Sequence, residues 1–212
     1  LFRSQPLPTP LEGTRDNAVL ASFSRDGQHV ITTAIDRTAQ IWTINGKLKS
    51  TIGSEGESIA IHRATLSSDG RFAVTLSGAN AAHLWKLDAD RPSPISLPGH
   101  YSIFAPVAFS PDGRQLVTAP DDYTVRIWNL DTDHLTSIVL TGHKDRVRSI
   151  AFSPDGSRIA TGSSDGTARI WNARGDMSAV AVLEGHSRFV THVTFSPDGE
   201  KVVTGSGDGT AR

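Results

Sequence analysis

The sequence predicts an all-β protein, a propeller built from four-stranded antiparallel blades. Two observations predict it. A 43-residue period runs unbroken through the chain, and each period holds short strand-like runs separated by tight-turn signals. The pentapeptide at the first turn reads FSRDG from Phe23, LSSDG from Leu66, and FSPDG from Phe109, Phe152 and Phe195. The only four tryptophans, Trp42, Trp85, Trp128 and Trp171, keep the same step. A Gly-His pair starts at Gly99, Gly142 and Gly185, and Gly56-Glu57 and Gly13-Thr14 fill the two earlier slots. Between the units starting at Gly142 and Gly185, 16 of 28 aligned positions are identical.

The unit from Gly142 shows how one period folds. "VRSIAF" mixes Val147, Ile150 and Phe152 with polar residues over a strand-length span. "SPDG" follows, where Pro154 presets φ early in a turn and Gly156 takes the positive φ at its end. "RIATGS" is a second strand and "SDGT" a second turn. In "ARIW", Ala168 and Ile170 face one side, Arg169 and Trp171 the other. "AVAVLEGH" is the fourth strand. No segment has a helical period of useful length. A single sheet with apolar residues on both faces cannot bury them alone. Radial stacking covers both faces, and the hairpin-rich unit favours a propeller over a solenoid.

Composition narrows the function classes. The net charge is -1, which predicts no nucleic-acid binding and no attraction to an anionic membrane. No apolar run approaches bilayer length, and "LFRSQPLPTP" lacks a signal-peptide core. Cysteine is absent, which fits a cytoplasmic protein and removes thiolate chemistry. Arginine outnumbers lysine 16 to 5, as in GC-rich bacterial genomes.

The unit resembles the WD40 repeat in its Gly-His pair, FSPDG turn, "TGSSDGT" turn and Ile-Trp ending, over essentially the whole chain. The resemblance is strongest in the last three units. It departs after each tryptophan, where Thr43, Lys86, Asn129 and Asn172 replace the aspartate of the Trp-Asp signature. It implies one repeat region over residues 1–212: a fourth strand at 1–13, repeats at 13–55, 56–98, 99–141 and 142–184, and a truncated repeat at 185–212. Five units are fewer than the usual ring. The expectation is therefore an incomplete or open ring, a fragment of a bacterial-type array with further blades in the full-length chain. An open arc exposes strand edges, so the chain is expected to pair through its ends.

The resemblance also implies a structural tetrad of histidine, threonine, aspartate and tryptophan in each blade. The matching residues are His100, Thr118, Asp122 and Trp128, then His143, Thr161, Asp165 and Trp171, then His186, Thr204 and Asp208. The first unit keeps Thr32, Asp36 and Trp42 with Thr14 in the histidine slot. The second keeps Thr75 and Trp85, with Glu57 and Ala79 breaking the set. Such groups satisfy one another's hydrogen bonds when buried, which stiffens the blade.

Catalytic readings are weaker. "GSSDG" at Gly162–Gly166 matches G-x-S-x-G around Ser164, but it joins two short strands rather than a strand and a helix. His186 and His192 lie six apart with no ligand cluster, so no metal is expected. No glycine-rich loop precedes a helix, and Asp131 and Asp133 lack a calcium-loop pattern, so no cofactor is expected.

What remains is a loop face. The resemblance implies that this face binds a protein or peptide partner, without catalysis. Aromatics and arginines lead among residue types at binding hot spots. The candidates are Tyr101, Phe104, Tyr123, Arg146, Arg148, Arg188 and Phe189. The alternatives are a sensor propeller within a larger kinase, NTPase or protease-like signalling protein, and a TolB-like propeller, which lacks the Gly-His and Ile-Trp landmarks.

Overall fold

The computed structural model describes residues 18–34, 37–53, 61–77, 81–89, 92–100, 102, 104–132, 135–175 and 179–212. The expected fourth strand at 1–13 lies outside them, as do Tyr101, Thr14, Asp36, Glu57 and Ala79. No helix occurs among the described residues.

The strands form five antiparallel sheets. The first holds β1 (Ala18–Phe23), β2 (His29–Ala34), β3 (Thr38–Thr43) and β4 (Leu48–Gly53). The second holds β5 (Ile61–Leu66), β6 (Phe72–Ser77), β7 (Ala81–Lys86) and β8 (Pro94–Leu97). The third holds β9 (Val107–Phe109), β10 (Gln115–Thr118), β11 (Val125–Asn129) and β12 (Thr136–Leu140). The fourth holds β13 (Val147–Phe152), β14 (Arg158–Ser163), β15 (Ala168–Asn172) and β16 (Ala181–Leu183). The fifth has β17 (Val190–Phe195) and β18 (Val202–Ser206), plus a bridge between Gly205 and Ala211.

The repeated pentapeptide builds the same turn five times. In each, the serine hydroxyl donates to the aspartate carboxylate two residues on: Ser24 to Asp26, Ser67 to Asp69, Ser110 to Asp112, Ser153 to Asp155 and Ser196 to Asp198. The same serine oxygen accepts the backbone N–H that opens the second strand, such as that of Arg158 at 2.9 Å. Gly156 closes its turn at φ 74°, where a side chain would be strained. The side chains thereby offer the backbone a local alternative to continuing the strand, which is why Ser and Asp recur there.

Both faces of each sheet are apolar, so burial requires a neighbour on each side. Ile31, Ile41 and Ile52 of the first blade meet Ile61, Leu66 and Trp85 of the second. Val74, Leu76 and Leu84 meet Leu116 and Trp128 of the third. Val117, Ile127 and Leu140 meet Val147, Ile159 and Trp171 of the fourth. Ala160 and Ile170 meet Val193, with Phe195 and Val202 at the margin. In the third strand, Ile170 thus faces the fifth blade while Trp171 faces the third, the alternation of a strand covered on both sides. Among the described residues no buried cluster joins the fifth blade to the first, so the array is open.

Candidate functional site

The turns between second and third strands and the segments leading into the first strands meet at one end of the blades. In the fourth blade they close a hydrogen-bonded chain. The Trp171 indole N–H donates to Thr161 Oγ1 at 2.8 Å. Thr161 Oγ1 lies 2.8 Å from His143 Nε2, and His143 Nδ1 lies 2.8 Å from Asp165 Oδ2. The neutral tautomer that satisfies all four carries its proton on Nδ1. Burial pushes the His143 pKa below its ordinary value, outweighing the attraction of Asp165, so the ring is neutral at pH 7. Burial also opposes ionisation of Asp165. The Lys144 N–H, the Thr167 hydroxyl and His143 outweigh it and hold the pKa at about 2. In the fifth blade His186 spans Asp208 and Thr204, each at 2.9 Å.

A serine clamps both turns. Ser163 Oγ donates to Asp145 O at 2.9 Å and accepts the Asp165 N–H at 3.1 Å. Ser206 does the same with Arg188 O and the Asp208 N–H. The Gly-His glycines sit at positive φ, 88° at Gly99, 151° at Gly142 and 121° at Gly185. A Cβ on Gly142 would lie 2.6 Å from the Arg169 guanidinium.

The third blade departs from the expected tetrad. Thr118 still accepts the Trp128 indole N–H at 3.0 Å. His100, however, places Nδ1 3.1 Å from Leu97 O and leaves Nε2 buried without a partner. Asp122 instead takes the Arg126 guanidinium at 2.8 Å and the Thr124 backbone and hydroxyl. The physical reason is Pro120, which occupies the slot of Ser163 and Ser206 and has no hydroxyl to clamp the turn. The Asp121 N–H donates to Gly99 O at 3.0 Å, so the turn is tied to the chain before His100 rather than after it. In the first two blades only the threonine–tryptophan pairs are described: Trp42 to Thr32 and Trp85 to Thr75, both 2.9 Å.

The same blade carries a second departure. Val147 and Val190, at the start of β13 and β17, are buried, and the residues after them, Arg148 and Thr191, point outward. Each strand carries a bulge at this point. The corresponding pair in the third unit is Phe104 and Ala105, and its orientation is reversed. Phe104 is 79 % exposed and Ala105 is buried at 5 %. The strand β9 begins only at Val107, after Pro106, which has no N–H for the ladder. Across the blade seam, Val190 packs against Gly162, where a Cβ would come within 2.7 Å of Val190 Cγ1, and Val147 shares a buried cluster with Ala119. In the third unit Ala105 turns in and Phe104 turns out, forgoing about 1.5–3 kcal/mol of burial.

Tyr123 adds a third departure. It takes φ 68° in the slot of Gly166 and Gly209, and it is 43 % exposed. A non-glycine residue there costs about 1–2 kcal/mol.

The other candidates share this end. Arg146 pairs with Asp121 across the blades at 3.3 Å with its side chain 62 % exposed. Arg148 donates to Ser164 Oγ at 2.5 Å and its guanidinium lies 4.8 Å from the Phe189 ring centroid. Phe189 rests on Gly207, and Arg188 is exposed. Among the described residues no three of His, Asp and Glu gather as metal ligands. Residue-by-residue reading of the motifs missed Ala105 and Pro120. Comparing their slots along the 43-residue period is the signal that finds them.

A comparison with protein families matches the WD domain, G-beta repeat, at residues 6–43, 93–129, 135–172 and 177–212, more than half of the chain. The chain belongs to the WD40 family. The match skips most of the second unit, where the Gly-His pair is missing. No curated protein matches the chain. WD40 repeats generally serve as protein-interaction scaffolds.

Proposed function

We propose that this WD40 array is a non-catalytic scaffold of the cytoplasm that binds a protein or peptide partner on the loop end holding Phe104, Tyr123, Arg146, Arg148, Arg188 and Phe189. One observation carries the reading. The repeating tetrad side chains of the fourth blade are turned inward and locked in hydrogen bonds, whereas these non-repeating aromatics and arginines are exposed at the same end. Two of them, Phe104 and Tyr123, sit outside the arrangement that their own repeat favours, and aromatic side chains are enriched at binding hot spots. The hydroxyl in the G-x-S-x-G match supports no nucleophile role: Ser164 Oγ accepts from Arg148, and His143 is committed to Thr161 and Asp165. Neither nucleic acid nor a membrane surface is part of the proposal, because the charge of the chain is nearly balanced.

The test compares proteins retained by the wild-type chain with those retained by a variant carrying alanine at all six positions and at Tyr101. Circular dichroism confirms that the variant is folded. Loss of specific partners is the expected result. An unchanged set of partners would remove the loop end from consideration.

A further inference from the structure

The seam between the first and second blades holds a cavity of about 200 Å³, walled by Leu20, Ile31 and Ala64 of β1, β2 and β5. The repeat explains the space. The slot of Ala64 holds Val107, Ile150 and Val193 in the next three units, and each packs in the cluster joining its blade to the one before. Ala64 packs in the matching cluster of its own seam, but its side chain ends at Cβ where the others continue. Packed sheets relax only partly around such a deficit, so a void remains. Polar groups absent from the other units line the same void. Thr33 stands where Leu76, Ala119, Gly162 and Gly205 stand elsewhere. It shares with Ile31 the face of β2 turned to the second blade, since alternate residues of a strand point the same way. Its Oγ1 is buried without a hydrogen-bond partner, a state that few buried hydroxyls keep. Arg63 stands where Leu20, Pro106, Ser149 and His192 stand elsewhere. It is the one charged residue of the eight that line the cavity, and among the described residues no carboxylate pairs with it.

We infer that this seam cavity binds a small carboxylate with a short aliphatic chain. The chain lies against Leu20, Ile31 and Ala64, and the carboxylate is taken by Arg63 and the Thr33 hydroxyl. The volume is below the roughly 300–1,000 Å³ of sites for drug-sized ligands, which limits the occupant to a few carbons. A guanidinium takes a carboxylate in paired hydrogen bonds, and the apolar walls favour an anion that carries a hydrocarbon tail. None of these residues belongs to the loop end, so the site stands or falls separately from the reading above.

Isothermal titration calorimetry on the whole chain tests it with butyrate, acetate and butyramide. Butyrate should bind at one site and more tightly than acetate, which lacks the tail, or butyramide, which lacks the charge. Arg63→Gln and Thr33→Ala should each weaken butyrate roughly tenfold, the loss of one hydrogen-bonding contact. Ala64→Val installs the residue of the third and fifth blades, so it should abolish binding without lowering the melting midpoint. Thr33→Ala likewise installs the residue of the third blade, which keeps the fold intact. The variant with alanine at the loop-end positions should bind butyrate as the parent does. Failure of the folded parent to bind butyrate overturns the inference, as does equal binding of butyramide or unchanged binding in Ala64→Val. A blocked alanine–glutamate–alanine peptide presents the same carboxylate from a protein. Tighter binding of that peptide than of butyrate would overturn the free acid as the ligand.

Discussion

Replacing Asp165 by alanine removes one carboxylate that receives four hydrogen bonds. Its Oδ2 takes His143 Nδ1 at 2.8 Å and the Lys144 N–H at 2.9 Å, and its Oδ1 takes the Thr167 N–H at 2.9 Å and hydroxyl at 2.7 Å. The side chain is only 6 % exposed, so water cannot replace these bonds. The shift of its pKa from 3.8 to about 2 corresponds to about 2 kcal/mol. That agrees with the roughly 1–3 kcal/mol expected for leaving buried donors unpaired. For a chain of this size the melting midpoint should fall by roughly 4–8 °C. Asp122 is the internal control, because it occupies the same slot one repeat earlier. Its side chain is 44 % exposed and pairs with Arg126 instead of His100. An exposed pair contributes under about 1 kcal/mol, so Asp122→Ala should move the midpoint by less than half as much. Both variants are compared with the parent by thermal melting and urea titration. Equal shifts, or no shift for Asp165→Ala, would refute the claim that the fourth blade's network is closed and the third blade's is open.

Tyr123→Gly should stabilise the fold by about 1 kcal/mol in urea titration, since it removes a side chain from positive φ, while weakening partner binding. Stability should decline as pH falls below 6.5. His143 and His100 have folded pKa values lowered by burial, so the unfolded chain takes up protons first. The contribution of Asp165 is complete above 3.8 and disappears as pH falls toward about 2. Urea midpoints across this range should show both losses, and His143→Gln should make the upper one shallower. Gly162→Ala should destabilise by about 1–3 kcal/mol, because its Cβ meets Val190 at 2.7 Å. Val190→Ala in the same chain should recover part of that loss in a double-mutant cycle.

The period located the strands and the five tight turns, and the resemblance to the WD40 repeat implied the partnership of Thr161 with Trp171. These features rest on contacts within one unit, and their spacing is copied from unit to unit, so the residues that make them can be read in line. The same reading grouped His100 with Asp122, and there it was insufficient. A tetrad closes only if the turn is clamped to the segment after the histidine. The clamp is a serine hydroxyl in two blades and is absent at Pro120. Phe104 was legible as a loop-face candidate, and its side chain is 79 % exposed. The reversal of the pair was not legible: Ala105 is buried, whereas Val147 and Val190 are buried and followed by outward residues. Hydrophobic pattern specifies that a position is apolar, but only the seam between two packed sheets decides which of two adjacent apolar side chains it admits.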